Sequence, residues 1–169
     1  MSGAARIRVI GIGSPFGADR IGWEVAEALR ERLAPDPIGV ERGNAAGVQI
    51  ELADRPGVEL LHLMDQAREV ILVDAILVPG ARRARVRWVE RAELEACSSS
   101  HSSHGLGVAE ALALGEVLAR LPPRLAVLGI EVDPDADAPA GTVAAGVEMI
   151  LGALSPRIEA ERPQPLVNA

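Results

Sequence analysis

The sequence predicts an α/β protein, a three-layer α/β/α sandwich built on a mostly parallel, five-stranded twisted sheet with one antiparallel edge strand. Three observations carry this. Strand-like apolar runs alternate with stretches of helical periodicity between Ile7 and Leu154, the pattern of repeated strand–helix units. Val70-Ile71-Leu72-Val73 is apolar throughout, as a strand covered by helices on both sides must be. Arg85-Val86-Arg87-Trp88-Val89 alternates instead and follows the short Pro79-Gly80 turn. With no crossover helix before it, this strand is expected to be antiparallel and at an edge.

The elements follow in order. Arg6 to Ile12 reads as a buried strand, because Ile7, Val9, Ile10 and Ile12 are β-branched and a glycine-rich turn follows. From Asp19 to Leu33, Ile21, Val25, Leu29 and Leu33 recur at helical spacing with Glu24, Glu27, Arg30 and Glu31 opposite them. Pro35 stops that helix and a loop runs to Gly47. Val48 to Ala53 forms the second strand, Val58 to Gln66 a short helix, and Val70 to Val73 the third strand. After the edge strand comes a serine-rich loop, then a helix from about Leu106 to Leu121 broken by Pro122-Pro123. Leu125 to Ile130 is the last strand and Thr142 to Leu154 the last helix. Residues 1–155 are expected to form a single domain, with 156–169 a loose tail.

Composition narrows the function. The chain has 169 residues, of which 49% are hydrophobic and 24% charged, enough for one compact core. Its net charge is −7, and it has two Trp, one Phe and no Tyr. It therefore lacks both the basic surface and the stacking rings that nucleic-acid binding uses, and no nucleic-acid partner is expected. Cys97 is the single cysteine, which rules out an internal disulfide and a multi-thiolate zinc site. No run approaches the ~18 apolar residues of a membrane span, and the short run from Ile7 lacks a signal peptide's length. A cytoplasmic protein with no membrane partner is expected.

In an open parallel sheet, ligands collect at the carboxyl ends of the strands. Asp19 follows the first strand, Asp54 closes the second, Asp74 closes the third, and His104 precedes a helix. Asp19 alone would serve as a helix cap, and Asp54 before Arg-Pro-Gly as a turn residue. Asp74 is different: a carboxylate ending a wholly apolar strand is buried and needs a cation. Two carboxylates and an imidazole form a hard-to-borderline donor set suited to Ni, Zn, Mn or Fe, and three protein donors leave positions open for reaction.

Other motifs fit less well. Gly11-Ile12-Gly13-Ser14-Pro15-Phe16-Gly17 has dinucleotide-loop character, but Pro15-Phe16 and Asp19 stand where a pyrophosphate would approach. Asp133 to Asp137 lacks the turn glycine and bidentate Glu of a calcium loop. Ser98 to Ser103 offers no nucleophile elbow. His62 reads as a helix residue and His101 as a loop residue.

Four segments together resemble the hydrogenase maturation proteases, which trim the large subunit of nickel-iron hydrogenases. These are Val9-Ile10-Gly11-Ile12-Gly13 through Asp19-Arg20-Ile21-Gly22, Ile50 to Leu61, Val70-Ile71-Leu72-Val73-Asp74-Ala75, and Ser103-His104-Gly105-Leu106-Gly107. Gly129-Ile130-Glu131-Val132 is similar to the family's last strand. The chain departs from the family pattern at Ser14, Ala18 and Arg20, and in the turn after Asp54. The resemblance implies that Asp19, Asp74 and His104 are metal ligands and that Asp54 is the family's Asp near the end of strand two. As the nearest further carboxylate, Asp54 is expected to be catalytic, orienting a ligand or accepting a proton from water. It implies an endopeptidase that removes a C-terminal extension from the large-subunit precursor after nickel insertion. The nickel would arrive with that protein partner, another divalent ion could substitute, and the enzyme would act as a monomer. A non-catalytic, metal-dependent chaperone with the same fold and site is the alternative.

Overall fold

A computed structural model of the chain describes residues 7–34, 48–90, 92–94 and 107–160. The loop at 35–47, Cys97, His101 and His104 lie outside the described residues. Strands β1 (Ile7–Gly13), β2 (Val48–Asp54), β3 (Glu69–Leu77), β4 (Arg85–Trp88) and β5 (Arg124–Val132) form one sheet in the order β2-β1-β3-β5-β4. All pairs are parallel except β4 with β5, so β4 is the expected antiparallel edge. Arg87 clamps that edge strand, with Nε donating to Glu131 at 2.7 Å and Nη1 to Glu93 at 2.8 Å.

The helices are α1 (Ile21–Leu33), α2 (Leu60–Met64), α3 (Val108–Val117) and α4 (Thr142–Ala160). Neighbouring residues in a strand point to opposite faces, and each central strand feeds two cores. Val9 and Ile71 pack with Val25 and Leu29 of α1 and Ile150 and Leu154 of α4. Ile10 and Leu72 pack on the other side with Leu60, Leu61 and Met64 of α2 and Ala111 and Leu112 of α3. The three layers follow directly. Each fully buried Leu or Ile contributes about 2 kcal/mol, so aliphatic side chains suffice where rings are scarce.

The elements differ from expectation at their ends. β3 runs three residues beyond Asp74, because its pairing with β5 continues to Leu77 opposite Val132. Asp74 therefore lies within the strand and does not close it. α3 stops at Val117, ahead of the two prolines, where Ala119 takes a left-handed backbone (φ 52°) and its N–H bonds to the Glu116 carbonyl. That geometry ends a helix by itself. α4 continues through Pro156 to Ala160, past the Leu154 limit the periodicity suggested.

Candidate functional site

The strand order places a switch point between β1 and β3. From β1 the chain moves to β2 on one side, and later to β3 on the other. Crossover helices leave in opposite directions there, opening a crevice at the strands' carboxyl ends. A cavity of about 470 Å³ lies at that edge, and Ser14, Asp19, Arg55 and Asp74 are among its lining residues. Two sequence-predicted residues, Asp19 and Asp74, are thus brought together.

Asp19 is carried by the 3-10 turn Gly17–Arg20 between β1 and α1. The neighbouring Ala18 packs against the apolar layer of α1 and α4, so only position 19 turns its side chain to the cavity. Glycine spacing holds this turn down. A Cβ at Gly13 would collide with the Asp19 carbonyl oxygen, and one at Gly11 would lie 2.5 Å from the Gly22 carbonyl oxygen. The G-x-G pattern that resembles a nucleotide loop is thereby explained by the close approach of α1 to β1.

Asp74 is half-buried in β3, with its Oδ1 accepting the Ala75 N–H at 2.9 Å. Burial, and next the negative charge of Asp19, push its carboxyl up to about 7, while the Ala75 hydrogen bond pulls the other way. A carboxyl that resists ionisation because it is desolvated, and next because a second carboxylate is near, gains from a bound cation. The donor set therefore fits a divalent metal. Among the described residues no group of three or more His, Cys, Asp or Glu side chains forms a cluster; the third expected ligand, His104, lies outside them.

Asp54 ends β2 on the same edge but does not line the cavity. Its exposed carboxylate accepts Arg55 Nε at 2.7 Å. Arg55, read from sequence as part of a turn, is the residue that reaches the cavity. Its guanidinium is held above the ordinary arginine range, by the hydrogen bond to Asp54, then by the Asp54 charge, and less by Asp19. The available signal was a cation placed directly after a strand on the site's edge. Trp23 of α1 adds an anchor the sequence did not announce, its indole N–H donating to the Ala53 carbonyl at 3.0 Å.

The remaining motifs settle elsewhere. His62 is exposed on α2, 3.5 Å from Asp65. Asp133 accepts the Gly80 and Asp135 N–H groups at 3.1 and 3.0 Å, which makes it a turn anchor. A second cavity, of about 370 Å³, lies between α3 and β5 and is walled mainly by aliphatic groups such as Leu94, Leu112, Leu121 and Leu125; it does not include Asp19 or Asp74.

The chain is similar to known proteins in sequence and in fold. The family described as "Hydrogenase maturation protease" (HycI) matches residues 24–142. The hydrogenase maturating endopeptidase HybD of E. coli is 24% identical with a TM-score of 0.66, over 90% of this chain and 93% of that one. The solution structure of an endopeptidase from Escherichia coli is 25% identical with a TM-score of 0.67, again over 90% and 93%. The [NiFe] hydrogenase maturation protease HycI of Thermococcus kodakarensis has the same fold at 19% identity and a TM-score of 0.56, over 94% and 95%. No curated protein sequence matches the chain.

Proposed function

The chain belongs to the hydrogenase maturation protease family, and from that premise we propose that it removes the C-terminal extension of a nickel-iron hydrogenase large-subunit precursor once nickel is in place. The observation that carries this is the pairing of Asp19 with Asp74 in one cavity at the β1/β3 switch point. The enzyme is a peptide-bond hydrolase, and its partner is a polypeptide. Phe16, the only phenylalanine, is 73% exposed in the loop after β1, and Leu77 is 49% exposed at the end of β3. Leu77 lines the cavity together with Ile12 and Leu60, and apolar side chains exposed along a cavity that also holds two carboxylates suit a peptide docking there. No helix among the described residues is long and apolar enough to cross a membrane. We place the reaction in the cytoplasm, with the enzyme a monomer.

In this mechanism Asp19, Asp74 and His104 take hold of the nickel that the precursor carries. The chain thereby tests that insertion is complete and orients the scissile bond over the crevice, an effect able to lower a barrier by several kcal/mol. Bound metal supplies polarisation of a carbonyl or of water. Asp54 does not line the cavity, but it ends β2 on the same edge and is the further carboxylate assigned here to accept a proton. The test is mass spectrometry of nickel-loaded and metal-free precursor after incubation with the chain. Loss of the extension from the loaded form alone is expected, and D54N should slow it at least ~10-fold. A stable complex without any cut would favour the chaperone reading. Cleavage at the wild-type rate by D54N would leave Asp54 as a partner of Arg55 only.

The isolated chain should hold Ni²⁺ or Zn²⁺ weakly, because few protein donors are present and the metal comes with the substrate. Its affinity should rise as pH passes upward through about 7, where Asp74 gives up its proton. Titration calorimetry at pH 6 and 8 checks this; equal affinity at both would remove Asp74 from the ligand set.

A further inference from the structure

Arg55 has a backbone that its side chain does not favour. Its φ is +40°, and Gly57, two residues later, is at +51°. Glycine adopts such angles freely, whereas a residue with a Cβ does so at a cost. The position is also pinned, since the Arg55 N–H donates to the Gly13 carbonyl at 3.1 Å at the end of β1. A strained arginine fixed to the rim of a cavity calls for a reason. Its ion pair with Asp54 is a weak one, because the two side chains are 61% and 49% exposed and exposed pairs contribute little. Metal binding gives none either: a cation held by Asp19 and Asp74 gains nothing from a positive charge on the same wall.

What a cation on that wall does is admit an anion. Asp19 and Asp74 repel any carboxylate of an approaching peptide, and Arg55 is the only cationic lining residue among those described. Nε donates to Asp54, which leaves the two terminal nitrogens as a fork. A fork of that shape matches a carboxylate with two parallel hydrogen bonds. Resting on the endopeptidase reading, we propose that Arg55 is a specificity-determining residue that binds a carboxylate of the polypeptide substrate at the mouth of the Asp19–Asp74 cavity. The carboxylate is either an acidic side chain beside the cleaved bond or the precursor's own C-terminus.

The test uses R55G, since glycine accepts the +40° backbone and the variant keeps its fold, together with R55K, which retains charge but loses the fork. Each is assayed on nickel-loaded precursors in which the acidic residues flanking the cut are changed singly to amides, and on one with an amidated C-terminus. R55G should lower kcat/KM about tenfold, a loss of ~1.4 kcal/mol, through KM with kcat held. R55K should fall between R55G and wild type. One precursor change should lower the wild-type value equally and leave R55G unmoved, and which change it is identifies the source of the carboxylate. R55G acting at the wild-type rate, or slowed alike on every precursor, overturns the proposal; the second result would reduce Arg55 to holding Asp54. Precursor binding measured in parallel separates the two readings. Binding that depends on Arg55 and the carboxylate without any cut sinks the endopeptidase reading and keeps the clamp. Cutting that ignores Arg55 sinks only the clamp, and a chain that neither binds nor cuts overturns both.

Discussion

D74N is expected to abolish cleavage of the nickel-loaded precursor and at the same time to raise the melting temperature of the isolated chain. The two effects share one cause. Asp74 is held at about 7 against an ordinary 3.8, by burial and then by the facing Asp19. Between those two values the unfolded chain has released this proton and the folded chain has not. Stability therefore falls as pH rises through that window, and above pH 7 the penalty is fully present, at no more than about 4 kcal/mol. Asparagine cannot ionise, and its Oδ1 can still accept the Ala75 N–H that Asp74 accepts at 2.9 Å. The variant should thus melt about 5 °C or more above the wild type at pH 8 in the presence of chelator, with the difference vanishing near pH 4. The same amide cannot serve as an anionic donor, and cleavage should drop at least ~100-fold, since even a ligand's supporting partners are worth that much. Calorimetry at the two pH values and the cleavage assay check both halves. A variant no more stable than wild type at pH 8 would mean that Asp74 ionises freely. The opposed signs mark a residue kept for function at the expense of stability.

The parts of this arrangement that were legible in the sequence are those fixed by local chemistry. Val70 to Val73 is apolar on both faces, so a central strand followed at once, whereas the acid expected to close it lies inside the strand and is half-buried. The turn at Pro79-Gly80, where Gly80 has φ +76°, is too short for a crossover, so β4 had to run antiparallel. What was not legible depends on partners distant in the chain. The continuation of β3 to Leu77 is set by its register with Val132 of β5. The direction of Arg55 is set by its bonds to Gly13 and Asp54, and Asp54, read as a member of the site, is drawn into that ion pair on the rim. Asp19 was identified on its place after β1, but the reason it faces the cavity while Ala18 faces the core lies in how closely α1 approaches the sheet.

That approach makes Gly22→Ala the other large expected effect. A Cβ on Gly22 would collide with the Ile12 carbonyl oxygen and lie 2.7 Å from that of Val73. Both are backbone atoms of central strands, so neither can swing aside as a flexible side chain would. The start of α1 must lift instead, and overpacking of this kind destabilises by about 1–3 kcal/mol. Glycine to alanine within a helix otherwise stabilises by up to ~1 kcal/mol, and Gly152 of α4 provides the control, being exposed with nothing within 4 Å of an added Cβ. The same substitution should therefore have opposite signs in two helices of one chain: urea denaturation should show G22A less stable than wild type and G152A equal or more stable. Cleavage should follow the same division, because the turn that presents Asp19 leads directly into Ile21 and Gly22. G152A should cut normally. G22A should be slowed even at temperatures where it remains folded, since lifting α1 carries Asp19 away from Asp74. A G22A variant that is folded and fully active would show that the glycine contact does not set the spacing of the two carboxylates.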